Sequence, residues 1–148
     1  MSRRRGFTFV ELMLTMTIVG LLSAVAVPKY NDLKRQANTT RVIGDFHTLQ
    51  VAVMSFYADS LYFPAEASVG VIPENLTSYL PFGFTFAREQ WTLDYERWES
   101  GGVGSSDVIV GVTVVAQDVV LAETTSRVMG NVPRVGFSPN FTFIISGL

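Results

Sequence analysis

Gly6-Phe7-Thr8-Phe9-Val10-Glu11-Leu12-Met13 opens an apolar run that ends at Pro28, with Arg3-Arg4-Arg5 directly before it. From Phe7 to Val27 the sole charged side chain is Glu11. At ~1.5 Å per residue, that stretch makes a helix long enough to cross the ~30 Å hydrocarbon core of a bilayer. The three leading arginines place its start in the cytoplasm by the positive-inside rule, with the remaining chain on the other side. A carboxylate within such a segment is costly and normally has a functional partner. Glu11 lies about one helical turn past Phe7, near the membrane boundary. Two readings of it stand on the residues alone: a carboxylate that snorkels to the interface, or one held by a partner charge.

The pattern Gly6-Phe7-Thr8-Phe9-Val10-Glu11 after a short basic leader resembles the class III signal of type IV pilins and type II secretion pseudopilins. The resemblance continues through Gly20, Pro28 and Tyr62-Phe63-Pro64. It implies recognition of Arg3, Arg4, Arg5 and Gly6 by a membrane prepilin peptidase, cleavage between Gly6 and Phe7, and methylation of the new Phe7 amine. It also implies that Glu11 pairs with the N-terminal amine of a neighbouring copy during filament assembly. Gly20 and Pro28 would flank a stretch of helix that loosens in the filament. The implied partners are other copies of the chain, the peptidase, membrane lipid before assembly, and an inner-membrane assembly platform with a cytoplasmic ATPase. The implied location is the inner membrane, single pass with a cytoplasmic N-terminus, and afterwards a periplasmic or cell-surface filament.

The chain has 148 residues, 48% of them hydrophobic, and a net charge of −2. That is about one domain. Removing residues 1–6 takes three of the 11 basic side chains, leaving 8 against 13 acidic ones, a balance of −5. Such a chain has no general electrostatic footprint for nucleic acid. Zero cysteines exclude disulfides, a thiol nucleophile and Cys-ligated metal, and set the chain apart from the pilins that close a C-terminal loop with a disulfide.

Beyond Pro28, Lys29, Asp32, Lys34, Arg35 and Arg41 indicate emergence into water, while helical periodicity persists. Tyr30, Leu33 and Ala37 form one stripe. Val42, Phe46, Leu49, Val53, Phe56 and Tyr57 continue it at three- and four-residue spacing. This predicts one kinked helix from Phe7 to about Ser60, broken by Tyr62-Phe63-Pro64. Pro73 to Pro81 reads as a brief helix bounded by prolines. Phe84–Arg88 and Trp91–Trp98 both alternate and read as an antiparallel hairpin, and Gly101–Ser106 as a loop. Val108–Val115 is almost wholly β-branched and reads as a strand. Asp118 to Met129 reads as a short helix capped by Asp118 and stopped at Gly130, and Phe141–Ile145 as a last strand. The fold class is therefore α+β, a long kinked N-terminal helix on a small antiparallel sheet, an arrangement that also resembles the pilin fold. The organisation is a leader at 1–6, a transmembrane or filament-core half-helix at 7–27, an amphipathic half-helix at 28–60 and a sheet region at 61–148.

His47, the one histidine, has no evident acid–base partner and reads as a solvent or interface residue. Nucleophile-elbow, phosphate-loop, zinc-helix and EF-hand spacings are missing, so the expectation is a non-enzymatic chain without cofactor or bound metal. Glu89, Asp94, Glu96, Glu99 and Asp107 read as a solvated acidic face, with the calcium loop of major pseudopilins as the alternative. Two rival readings of the N-terminus are open. One is an ordinary signal peptide cut after Ala26, releasing a soluble binding or enzymatic domain; the interruption at Glu11 and the length of the run oppose it. The other is an unprocessed single-pass scaffold.

Overall fold

The computed structural model describes residues 6–100, 107–136 and 140–147. Its elements are helix α1 (Phe9–Ser60), a 3-10 turn (Glu74–Tyr79), strands β1 (Trp91–Ser100) and β2 (Asp107–Ala116), helix α2 (Val119–Val128), and strands β3 (Arg134–Val135) and β4 (Asn140–Gly147). The chain divides into two compact units, Met1–Ala37 and Asn38–Leu148.

α1 runs through Pro28 without a break. A proline inside a helix deletes one backbone hydrogen bond and crowds the carbonyl four residues earlier, and the remaining bonds carry the helix on. Among the described residues of the first unit every side chain is exposed, including Tyr30 and Leu33 of the apolar stripe. Burial on α1 begins at Asn38. From there Val42, Phe46, Leu49 and Val53 recur at three- and four-residue steps, each wholly shielded from solvent, as an amphipathic face requires. α1 ends where Leu61 enters the left-handed region at φ 61° and returns its N–H to the Tyr57 carbonyl at 2.8 Å.

The sheet supplies the layer that covers this face. All pairings are antiparallel and the strand order is β1-β2-β4-β3. Leu93 and Tyr95 of β1, Val110, Val112 and Val114 of β2, and Phe143 of β4 point inward and are buried. The register explains this: Leu93 sits opposite Val114, Tyr95 opposite Val112, and Val112 opposite Phe143, so one face of the pleat collects them. Phe46 of α1 meets Phe143 edge-on at a centroid distance of 5.7 Å. On the outer face a bulge shifts the β2–β4 register between Val110 and Gly111. A side chain at 111 would come within 2.9 Å of the Phe143 carbonyl oxygen and 3.1 Å of Trp98 Cζ3. Glycine is what allows the Trp98 ring to lie across the strand there. Asp118 caps α2 by accepting the Val120 N–H at 2.9 Å.

The expected hairpin between Phe84–Arg88 and Trp91–Trp98 does not form. Only an isolated bridge joins Ala87 to Thr92, and β1 pairs instead with β2. Phe84 closes a turn to the Pro81 carbonyl at 3.0 Å with Gly83 at φ 78°, the positive φ of a type II turn. The segment after this turn keeps only that bridge-length contact with β1, and Phe86 is buried in the core. The free edge of β1 is covered by irregular backbone: Leu93 N–H donates to the Phe86 carbonyl, and its own carbonyl accepts from Gly70 N–H. The loop expected at Gly101–Ser106 lies outside the described residues.

Candidate functional site

Residues 7–28, helical from Phe9, form an apolar stretch without an apolar environment in the described chain. Phe7, Phe9, Val10, Met16, Leu21, Leu22 and Val25 are each more than half exposed, and α1 is long and apolar enough in this stretch to cross a membrane. The Thr15 and Thr17 hydroxyls are satisfied within the helix. Thr15 Oγ1 donates to the Leu12 carbonyl at 2.9 Å, and Thr17 Oγ1 to the Met13 carbonyl at 2.8 Å. These bonds remove polar groups that would otherwise be unsolvated in lipid.

Glu11 sits in the first turn of α1, and its carboxylate is already engaged. Oε2 accepts from the Thr8 backbone N–H at 2.9 Å and from Thr8 Oγ1 at 2.8 Å, while Thr8 Oγ1 accepts from the Glu11 N–H at 3.2 Å. The Thr8 carbonyl accepts from Leu12 N–H at 3.2 Å. This is a capping box, with Thr8 at the N-cap and Glu11 three residues on, each satisfying an orphan donor of the other. The sequence reading missed it, although Thr-x-x-Glu before an apolar run was the signal. Oε1 makes no hydrogen bond among the described residues, so the box leaves half of the carboxylate for another donor.

Gly6 and Phe7 precede the helix and are exposed. Arg3, Arg4 and Arg5 lie outside the described residues. Gly20 lies within α1 with open space around it, and Pro28 lies inside the helix. Of the expected site residues, then, Glu11 is drawn to Thr8 and the others are spread along the chain start.

On the second unit, Asp94 projects from the outer face of β1 beside Glu96. Burial, then the neighbouring Glu96 and Glu66 carboxylates, pushes its carboxyl up to about 6. Glu96 accepts from Thr113 Oγ1 at 3.0 Å, and Thr113 shares a 2.7 Å hydrogen bond with Thr142. Burial also raises the Tyr95 phenol, whose hydroxyl donates to the Pro64 carbonyl at 3.3 Å. His47 is exposed against Phe46, with Nδ1 3.4 Å from Gln50 Oε1. Among the described residues no group of three His, Cys, Asp or Glu side chains is placed to hold a metal ion.

Residues 1–27 match the family model of the prokaryotic N-terminal methylation motif. The chain is pilin-like. Over 53 residues it is 42% identical to Fimbrial protein Q of Moraxella bovis, covering 36% of this chain and 34% of that protein. Over 85 residues it is 35% identical to the type IV major alpha-pilin of the same organism, covering 57% and 50%. The pilin-like chain is also 26% identical over 117 residues to type II secretion system core protein G of Klebsiella pneumoniae, covering 73% and 84%. The chain spans between about a third and a half of the length of the fimbrial relatives it matches. No solved structure matches it.

Proposed function

We propose that this pilin-like chain is a structural subunit that is made as a membrane precursor, cut after Gly6, methylated at Phe7 and polymerised into a type IV pilus or secretion pseudopilus filament. The observation that carries the reading is the wholly exposed apolar first stretch of α1, opened by a capping box that leaves one carboxylate oxygen of Glu11 unused among the described residues. The methylation motif over the same residues supports it. In lipid the helix is solvated by acyl chains. In a filament it is solvated by copies of itself. Apolar surface stays dry in both states, so the exchange lies near balance and an external ATPase motor on an assembly platform can drive it. Residues 1–6 are the leader, 7–27 the membrane anchor and later the filament core, and 28–60 the amphipathic half that carries the sheet region. Gly20 and Pro28 are the points where the helix yields on assembly.

In this reading the new Phe7 amine, positively charged, is the partner Glu11 takes from a neighbouring copy, and the precursor anchors single-pass with its N-terminus in the cytoplasm. Replacing Glu11 with alanine should give a cleaved, membrane-inserted chain that forms few or no filaments by electron microscopy. Normal filaments from Glu11→Ala would remove Glu11 from assembly.

A further inference from the structure

We propose that the notch between α1 and the start of β1 is a binding site for an oxyanion, a carboxylate or phosphate-type group. The notch, about 360 Å³, is lined by Arg41, Gly44, Asp45, Arg88 and Trp91, all in the second unit. Arg88 is held in place before any ligand arrives. Its Nε and Nη2 donate to the two Asp45 carboxylate oxygens at 3.1 and 3.0 Å, and its guanidinium lies 6.0 Å from the Phe84 ring centre. Such bidentate and cation–π contacts fix the plane of the fork and leave Nη1 unused. Arg41, one helical turn before Asp45, is exposed and has no hydrogen bond or ion pair among the described residues. Asp45 neutralises one guanidinium, so the notch keeps a net positive charge on a chain that is otherwise acidic.

Trp91 forms another wall. The residue is 4% exposed, and its Nε1–H is buried with no acceptor among the described residues. A buried donor without a partner is costly, and none of the described residues supplies an acceptor on this wall. At Gly44 a side chain would meet nothing within 4 Å, so the approach past the helix is open. The ion pair accounts for Arg88 and Asp45. It does not account for Arg41, which has no partner among the described residues, or for the indole N–H of the wall residue Trp91, which has none there either. A planar oxyanion suits guanidinium forks in particular. Its source is either a carboxylate of a second copy, since the mature side-chain balance is acidic, or a free oxyanion.

The test uses the processed full chain in detergent, labelled with nitrogen-15. Its two tryptophans give two indole signals, Trp91 and Trp98. Inorganic phosphate is titrated against sodium chloride at matched ionic strength. The Trp91 indole signal should move saturably, with a dissociation constant on the order of 1 mM, and Trp98 should not. Arg41→Gln, a surface change that leaves the core intact, should weaken binding about tenfold. Absence of a saturable Trp91 shift, or equal affinity in Arg41→Gln, overturns the proposal. Sedimentation of the assembled chain then identifies the source. Release of subunits at the phosphate concentration that saturates Trp91, with matched chloride inert, marks a second copy's carboxylate as the resident group. Unchanged assemblies alongside the Trp91 shift mark a free oxyanion.

Discussion

Glu11 is asked to do two things, and the capping box provides the means to separate them. In the folded chain its Oε2 bonds to the Thr8 N–H and hydroxyl; in the filament its charge would face a neighbour's Phe7 amine. Glutamine serves nearly as well as glutamate at the third position of a capping box, so Glu11→Gln keeps the cap and removes only the charge. Thr8→Ala does the reverse, costing about 1 kcal/mol of helix start while leaving the carboxylate. A charge pair shielded from water loses far more when one member is neutralised, because the other is left unpaired. At about 3 kcal/mol, the loss corresponds to about a hundredfold in the assembly equilibrium per contact. Thr8→Ala corresponds to only about fivefold in helix initiation. The assay is filament yield by shearing and sedimentation, normalised to processed subunit in the membrane. Thr8→Ala should assemble at reduced yield, and Glu11→Gln should be processed but scarcely assemble. Wild-type yield from Glu11→Gln together with failure of Thr8→Ala would show that Glu11 acts only as a helix cap.

Three further outcomes follow from the second unit. The Asp94 carboxyl is raised from its ordinary 3.8 to about 6, so the folded state binds its proton more tightly than the unfolded chain does. Its ionisation therefore costs stability: the Asp94 contribution should be fully present below about pH 4, fall as pH rises toward 6, and level off above. The full shift corresponds to about 3 kcal/mol, and partial solvent contact reduces this to about 1 kcal/mol. Asp94→Asn should recover that amount at pH 7 and flatten the pH profile in thermal melts; an unchanged profile contradicts the assignment. Leu61 holds a positive φ while 80% exposed, so Leu61→Gly should stabilise by about 1 kcal/mol in chemical denaturation, and a loss would show that its side chain packs. Gly111→Ala drives a methyl against the Phe143 carbonyl oxygen, which cannot move independently of β4, and should destabilise by about 1–3 kcal/mol in the same assay.

Much of this architecture can be read from the residues because it rests on periodicity. Val42, Phe46, Leu49 and Val53 announce a buried helix face, and the β-branched run in β2 announces a buried strand. Phe84–Phe86 misled because alternation in a short segment is equally well produced by a turn that buries one aromatic. What decides between them is whether an edge is free nearby, and that is a long-range property. β3 has only two residues, too few to display a period. At the candidate site, Glu11 drew attention by its charge, and its local partner Thr8 was overlooked. The Arg41–Arg88–Trp91 notch joins residues from a helix and a strand far apart in the chain, and no local spacing could have brought them together.

The central claim is that the chain is cut after Gly6 and enters a filament by its first helix. The most direct test is the intact mass and N-terminal sequence of the protein from native membranes. The account predicts a chain beginning at N-methylated Phe7. A chain beginning at Val27 would mean that the apolar helix is discarded as a signal peptide, and the filament reading would fall with it.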